Sequence, residues 1–239
     1  MNIYDRKIKC LDEPHSPELL EKLSMEGTLN KGKFLTDAHR DSYFQQMLHI
    51  RRLGVESVLE VGPGEGVIAS YIRSLGVQYD TMDIVHTSHP TIVSRLEDFD
   101  PSEHLARWDL VCAFQVLEHS PYEDFVSNLA KMVLVSKRYV FISLPFLCAG
   151  FSLSVNVALG QSLRLKRKFE LYFPLLQRNR EYRKEFKEEF PWAVHYWEIG
   201  RRGFPLSRIR RDIRSADLSI VHEFRSENPY HYFILAEKS

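Results

Sequence analysis

Glu60, Gly62, Gly64 and Gly66 stand at alternate positions of Val58-Leu-Glu-Val-Gly-Pro-Gly-Glu-Gly66, and a lone carboxylate, Asp83, follows 21 residues after Gly62. Glycines at the end of an apolar strand let the chain turn with positive φ and bring bare backbone against a ligand. A carboxylate at the tip of the adjacent strand can accept both hydroxyls of a ribose. The spacing separates two nucleotide-type cofactors. A dinucleotide turn, G-x-G-x-x-G, requires its third glycine at position 67, where this chain has Val67. A pyrophosphate seeks bare amide donors at a helix N-terminus, and Glu60 and Glu65 would set negative charge beside it. A ligand carrying an ammonium and a sulfonium tolerates those carboxylates, so the residues favour S-adenosylmethionine over NAD.

Two further segments share this order. Trp108-Asp-Leu-Val-Cys-Ala-Phe-Gln-Val-Leu-Glu-His119 reads as a fourth strand with its exit loop, and Arg138-Tyr-Val-Phe-Ile-Ser-Leu-Pro145 as a fifth. With the glycine turn they cover roughly residues 53–146. In this span the chain resembles the class I S-adenosylmethionine-dependent methyltransferases, in the branch that includes quinone-biosynthesis methyltransferases. The resemblance implies an α/β fold: a Rossmann-like doubly wound sheet, mostly parallel, with a C-terminal antiparallel hairpin and a helical insertion after strand five. It also implies roles. Glu60 would orient the turn and attract the methionyl ammonium. Gly62, Pro63, Gly64 and Gly66 would line the methionine and ribose, and Asp83, with Ile84 beside it, would take the ribose diol. The adenine contact is an acidic residue followed by an apolar residue offering its amide, and here those positions hold Arg95 and Leu96. Either Glu97 or Asp98 fills the acidic role in a shifted loop, or adenine rests on backbone and apolar contacts. Gln115 would face the methyl-transfer site.

Methyl transfer from a sulfonium is an in-line displacement in which alignment and water exclusion supply much of the acceleration. A base is required when the acceptor must lose a proton. His119, just beyond strand four, is the first candidate, with Glu118 as neighbour or structural partner. His195 and Glu198, in the aromatic run Trp192-Ala-Val-His-Tyr-Trp-Glu-Ile-Gly200, are candidates for acceptor binding. Neither H-x-x-x-H nor H-E-x-x-H spacing occurs, so no metal site is expected. The aromatics of 192–197 and Tyr230-His-Tyr-Phe233 could wall a pocket for a planar or partly apolar molecule. An Asn-Pro-Pro-Tyr signature of base-amino methylation is absent, the comparable position reading Phe114-Gln-Val-Leu117. A small-molecule or glycan acceptor leads, methylated at oxygen or nitrogen, and nucleic acid is disfavoured. The alternatives are a catalytically silent interaction domain and an RNA- or lipid-directed methyltransferase.

The elements that must position these groups follow from composition and periodicity. The 239 residues are 44% apolar and 27% charged with zero formal net charge, as in a single globular α/β domain without whole-molecule steering to nucleic acid or membrane. Nine Lys or Arg between Arg164 and Lys187, and six between Arg201 and Arg214, make a local asymmetry. Three separated cysteines with no C-x-x-C pair, and no apolar leader, suggest a reducing cytoplasm. Helices are expected at Pro17–Met25 (N-cap Ser16), Asp37–Leu53, Gly66–Leu75, Glu123–Val135 and Pro205–Ala216. Strands are expected at Ser57–Val61, Tyr79–Ile84, Thr91–Ser94, Leu110–Phe114, Arg138–Pro145, Leu218–Arg225 and Tyr230–Glu237. The domain divides into a cofactor-binding core at 34–146, an inserted helical cap at 147–198 and a closing helix and hairpin at 199–239. Residues 146–168, apolar and then basic, suit either that cap or a peripheral contact with an anionic membrane, and 169–190 suits a solvated helix with i,i+4 charge pairs.

Overall fold

A computed structural model describes residues 37–84, 89–146, 150–158, 166–174, 195–226 and 230–239, with only the backbone described at 150–158 and 166–174. Helix α1 (Asp37–Leu53) precedes strand β1 (Ser57–Val61), and α2 (Val67–Ser74) leads to β2 (Gln78–Asp83) and the short β3 (Ile92–Val93). Strand β4 (Trp108–Phe114), α3 (Phe125–Val135) and β5 (Ser136–Pro145) follow. After β6 (Gly150–Ala158) and β7 (Lys166–Pro174), the chain closes with α4 (Leu206–Ser215), β8 (Leu218–Arg225) and β9 (His231–Lys238). Seven strands form one sheet in the order β3-β2-β1-β4-β5-β9-β8. The first five pair in parallel, and β9 runs antiparallel between β5 and β8. This is the expected doubly wound sheet with an antiparallel C-terminal hairpin, and α1, β1 and β8 have the expected bounds.

Alternation along each strand feeds two cores, one on each face. On one face Val111 and Ala113 of β4 meet Leu129 and Met132 of α3 and Ile209 and Ile213 of α4. On the other, Leu110 and Cys112 meet Ile50 of α1 and Ile68 and Ile72 of α2. Phe125, Leu129, Met132 and Val133 recur at i, i+4, i+7 and i+8, so α3 buries one stripe. The inner face of α1 is not purely apolar. Phe44 is 55% exposed, whereas Ser42 and Gln46 are buried, joined by a 3.1 Å hydrogen bond from Gln46 Nε2 to Ser42 Oγ. Ser42 in turn meets His231 Nδ1 at 2.9 Å, so the helix docks through hydrogen bonds where it crosses β9.

The expected helical insertion at 147–198 is corrected at two segments, while 147–149, 159–165 and 175–194 lie outside the described residues. Residues 150–158 and 166–174 are strands, paired antiparallel from Gly150↔Pro174 to Ala158↔Lys166 as a separate two-stranded sheet. Their sequence alternates with period two: Phe151, Leu153 and Val155 lie opposite Phe173, Leu171 and Phe169, while Ser152, Ser154 and Asn156 lie opposite Tyr172, Glu170 and Lys168. That register sorts apolar and polar residues onto two faces, which a helix could not do. The strands also replace the first part of the expected solvated helix at 169–190. The remainder of that helix, and the one at Pro17–Met25, lie outside the described residues. Among the described residues, no helix is long and apolar enough to cross a membrane.

At the amino edge of the sheet one carboxylate ties three strands. Asp109 Oδ2 accepts from the Glu56 and Ser57 amides and from Ser57 Oγ at 2.9–3.0 Å, and Oδ1 accepts from Lys137 Nζ at 2.9 Å. Burial works to raise the pKa of Asp109, but the Lys137 and Ser57 hydrogen bonds outweigh it and hold it below the ordinary 3.8. A depressed carboxylate contributes stability that is present above 3.8 and is lost as pH falls through the lower folded-state value. Asp109→Ala is therefore expected to cost roughly 1–3 kcal/mol in urea unfolding at neutral pH. The gap to the native protein should narrow in strongly acidic buffer, and an equal gap at every pH would contradict the role assigned to this charge.

Candidate functional site

The turn after β1 stands at the carboxyl edge of the sheet, where open α/β folds bind ligands. Gly62, Gly64 and Gly66 all have positive φ, at 66°, 55° and 69°. Gly62 has a second constraint: a Cβ there would lie 2.6 Å from Val116 Cγ2, so the turn is pressed against the loop leaving β4. Pro63 caps the turn, its carbonyl accepting from the Gly66 amide at 2.9 Å, and Gly66 opens α2. Glu60, in the middle of the apolar strand, is 3% exposed and accepts from the Tyr79 hydroxyl at 3.1 Å. Burial raises its pKa to about 7, against the Tyr79 hydrogen bond and with help from the Asp83 charge. Asp83 ends β2, in register with Val93 of β3, and Ile84 follows it half-buried. Tyr43 of α1 belongs to the same neighbourhood, because burial first, then the Glu65 and Glu60 charges, raise its pKa.

The loop after β3 is tied to α3. Leu96 is buried in the core. The Glu97 carboxylate accepts from Ser120 Oγ and, at 3.4 Å, from Asn128 Nδ2, and pairs with Arg95 at 3.5 Å. Burial would raise its pKa, but the Ser120 hydrogen bond leads a set of contacts that bring it below the usual range. Lys131 Nζ donates to the Leu96 carbonyl at 3.1 Å and to that of Glu97. The Glu97 side chain is thus engaged in anchoring the loop, a job that spacing alone could not reveal.

Beyond β4 the chain passes through Gln115, a non-glycine residue at φ 57°. Its amide donates to the Ser143 carbonyl at 3.0 Å and its Nε2 to Ser143 Oγ at 3.3 Å, so β5 holds it in this costly conformation. A single 3-10 turn, Leu117–His119, then delivers Glu118 and His119. Glu118 is fully buried and, among the described residues, neither carboxylate oxygen has a hydrogen-bond partner. Burial raises its pKa to about 7, opposed by His195.

The segment carrying His195 is woven into this edge by backbone hydrogen bonds. The Tyr196 amide donates to the Glu118 carbonyl at 2.8 Å, the Ile199 amide to Pro145 at 2.9 Å, and Trp197 Nε1 to Ser120 at 3.2 Å. His195 Nδ1 lies 2.9 Å from Glu198 Oε1, and Nε2 lies 3.9 Å from Glu118 Oε1. The Tyr230 hydroxyl donates to Glu198 Oε1 at 3.0 Å, and Arg201 Nε donates to Oε2 at 2.7 Å. The His119 and His195 rings meet edge-on at 4.9 Å. Glu118, His119 and His195 each offer a ligand atom, all within 4.8 Å of one another. All four sequence candidates beyond strand four therefore assemble in one place. Tyr230, named with the 192–197 aromatics as a pocket wall, joins the cluster through its hydroxyl, whereas Arg201, three residues from Glu198, was not singled out. A metal-capable set also arises that no spacing motif could indicate, because His195 lies far along the chain from Glu118 and His119.

One edge thus carries a glycine turn over a buried carboxylate, a second carboxylate at the neighbouring strand tip, and a cluster of imidazoles and carboxylates beyond β4. Solved structures with the same fold share low sequence identity with this chain. The 1,6-didemethyltoxoflavin N1-methyltransferase of Burkholderia thailandensis, solved with 1,6-didemethyltoxoflavin and S-adenosylhomocysteine, is 16% identical at a TM-score of 0.56, covering 95% of this chain and 93% of that one. Magnesium protoporphyrin IX methyltransferase of Synechocystis PCC 6803 with S-adenosylmethionine is 12% identical at 0.56, covering 95% and 99%. The N-methyltransferase NodS of Bradyrhizobium japonicum with S-adenosylhomocysteine is 10% identical at 0.56, covering 92% and 98%. Among curated proteins no sequence match is significant. The pattern of the methyltransferase domain nevertheless runs through residues 18–222, so by sequence, and not only by shape, this chain belongs to the methyltransferase-domain family.

Proposed function

We propose that this chain binds S-adenosylmethionine across the β1 and β2 tips and transfers its methyl group to an oxygen or nitrogen of a small molecule seated beyond β4. The observation that carries the reading is Glu60, a carboxylate buried beneath three positive-φ glycines with Asp83 at the next strand tip. A buried anion under such a turn suits a ligand with an ammonium and repels a pyrophosphate. In this reading Glu60 attracts the methionyl ammonium, the backbone from Gly62 to Gly66, with Pro63, lines the methionine and ribose, and Asp83 holds the diol. Ile84 and Leu96 flank adenine, whose edge is left to the backbone near Leu96, because Glu97 is committed to Ser120 and Asn128. Gln115 faces the methyl group.

In the transfer the acceptor's lone pair forms the new bond to the methyl carbon while the carbon–sulfur pair returns to sulfur. A proton released by the acceptor has His119, His195 and Glu118 within reach of one another. A small acceptor is supported by the neighbours of this fold, which act on compounds such as magnesium protoporphyrin IX or hold 1,6-didemethyltoxoflavin. Quinone-type acceptors and glycans remain within the proposal's chemistry as planar or hydroxylated substrates.

Calorimetry on the purified chain should show binding of S-adenosylmethionine and S-adenosylhomocysteine and none of NAD. Asp83→Ala should weaken both by roughly tenfold or more, as expected for losing hydrogen bonds to a charged group. A folded protein that bound neither ligand would instead be a silent interaction domain. A pH series gives a second check. Because Glu60 is protonated below about 7 in the free protein, binding an ammonium there must expel that proton. Affinity should rise with pH by up to about tenfold per unit below that value and level off above it. Glu60→Gln should flatten the profile, and a slope that persisted in that variant would dissociate Glu60 from the ammonium.

A further inference from the structure

Glu198 sets the proton of His195. Its Oε1 lies 2.9 Å from Nδ1 and its ionised carboxylate can only accept, which selects the tautomer with hydrogen on Nδ1; in that neutral tautomer Nε2 keeps its lone pair. That lone pair faces Glu118 Oε1, itself an acceptor when ionised, across 3.9 Å. The separation is too long for a hydrogen bond. It does fall within the range open to two atoms sharing one ion, since ligands at about 2.1 Å stand roughly 3.4 Å apart in a tetrahedron and roughly 4.2 Å apart when opposed. His119 completes the set, with all three ligand atoms within 4.8 Å of one another. The second observation is Glu118 itself, fully buried with both oxygens lacking a hydrogen-bond partner among the described residues. A buried carboxylate in that state is strongly disfavoured unless a positive charge meets it.

We propose that Glu118, His119 and His195 bind a divalent first-row transition-metal ion, with Glu198 orienting His195 from behind. Two imidazoles and one carboxylate form a donor set for zinc or iron(II), and three protein ligands leave coordination positions open. The contact of Glu198 with the far nitrogen of a ligating histidine is the usual outer support of such sites, fixing tautomer and ring orientation. Glu198 is itself held by Tyr230 and Arg201. Two of the ligands follow closely on Gln115 and Val116, and Val116 packs against the turn at Gly62. With their lone pairs engaged, the three ligand side chains would no longer act as bases; the ion would instead grip an acceptor hydroxyl and lower its pKa. The proton passes to solvent, and the freed lone pair attacks the methyl carbon as the carbon–sulfur bond breaks. The role in methyl transfer rests on the proposed function above, whereas ion binding does not depend on it.

The test uses the full chain freed of metal by chelation and titrated with zinc by calorimetry and with cobalt(II) by visible absorption. One ion per chain is expected, with a cobalt spectrum lacking thiolate charge-transfer bands. Glu118→Gln and His195→Gln should each weaken binding by about 100-fold or more, and Glu198→Gln by about 10–100-fold. His222→Ala removes an exposed histidine that stacks 5.7 Å from His49 elsewhere on the fold, and it should bind as the native protein does. S-adenosylhomocysteine binding by each variant reports that the cofactor half is still folded. Absence of a one-to-one complex tighter than roughly 100 μM, or zinc affinity that survives Glu118→Gln, would overturn the site. Zinc binding without any S-adenosylhomocysteine binding would uphold the site and remove the methyl-transfer reading.

Discussion

The close approach of Gly62 to Val116 is the constraint on which the site depends. β1 and β4 are paired neighbours, Val61 opposite Ala113, so their exits emerge side by side. The turn at Gly62 presses so closely on the next loop that no Cβ fits between them. Val116 follows Gln115 and precedes the turn that carries Glu118 and His119. The glycine turn and the polar cluster are consequently held at fixed spacing by contact between two loops. In-line chemistry between two ligands requires that kind of fixed spacing.

Two buried carboxylates sit on either side of this contact. Glu60 and Glu118 both have their pKa raised from 4.5 to about 7, with burial as the leading cause. Groups raised in this way contribute stability that is complete below 4.5 and is lost as pH rises through about 7. The free protein therefore carries two sites where a cation would relieve a cost of folding. The contrast with Asp109 at the opposite edge is instructive. There amides, a hydroxyl and a lysine satisfy the carboxylate internally, and its pKa falls.

Much of this was legible in the sequence wherever the signal was local. The apolar run into the glycines marked β1 and its turn, and the runs at 110–114 and 138–145 marked the central strands, because strands buried on both faces are continuously apolar. The pair at 150–158 and 166–174 was also legible, through the alternation Phe151, Leu153, Val155, but the basic run that opens the second strand and the length of the apolar stretch drew attention to a helix. Ser42 and Gln46 could not be recognised as an inner face, since their partner is His231, nearly two hundred residues away. The same holds for Glu118, His195, Glu198 and Tyr230. Each was visible as a residue type, and only the sheet order brought them together.

That order has a consequence for folding. β9 follows β8 in the chain yet fills the gap between β5 and β8, and just before it Tyr230 reaches Glu198. The Phe146 amide also finds its acceptor at Tyr230. Until β9 is seated, β5 has an open edge and the Glu198 carboxylate lacks one of its anchors. Strand pairings this distant in sequence form late. The seating of one strand thus completes both the sheet and the polar cluster.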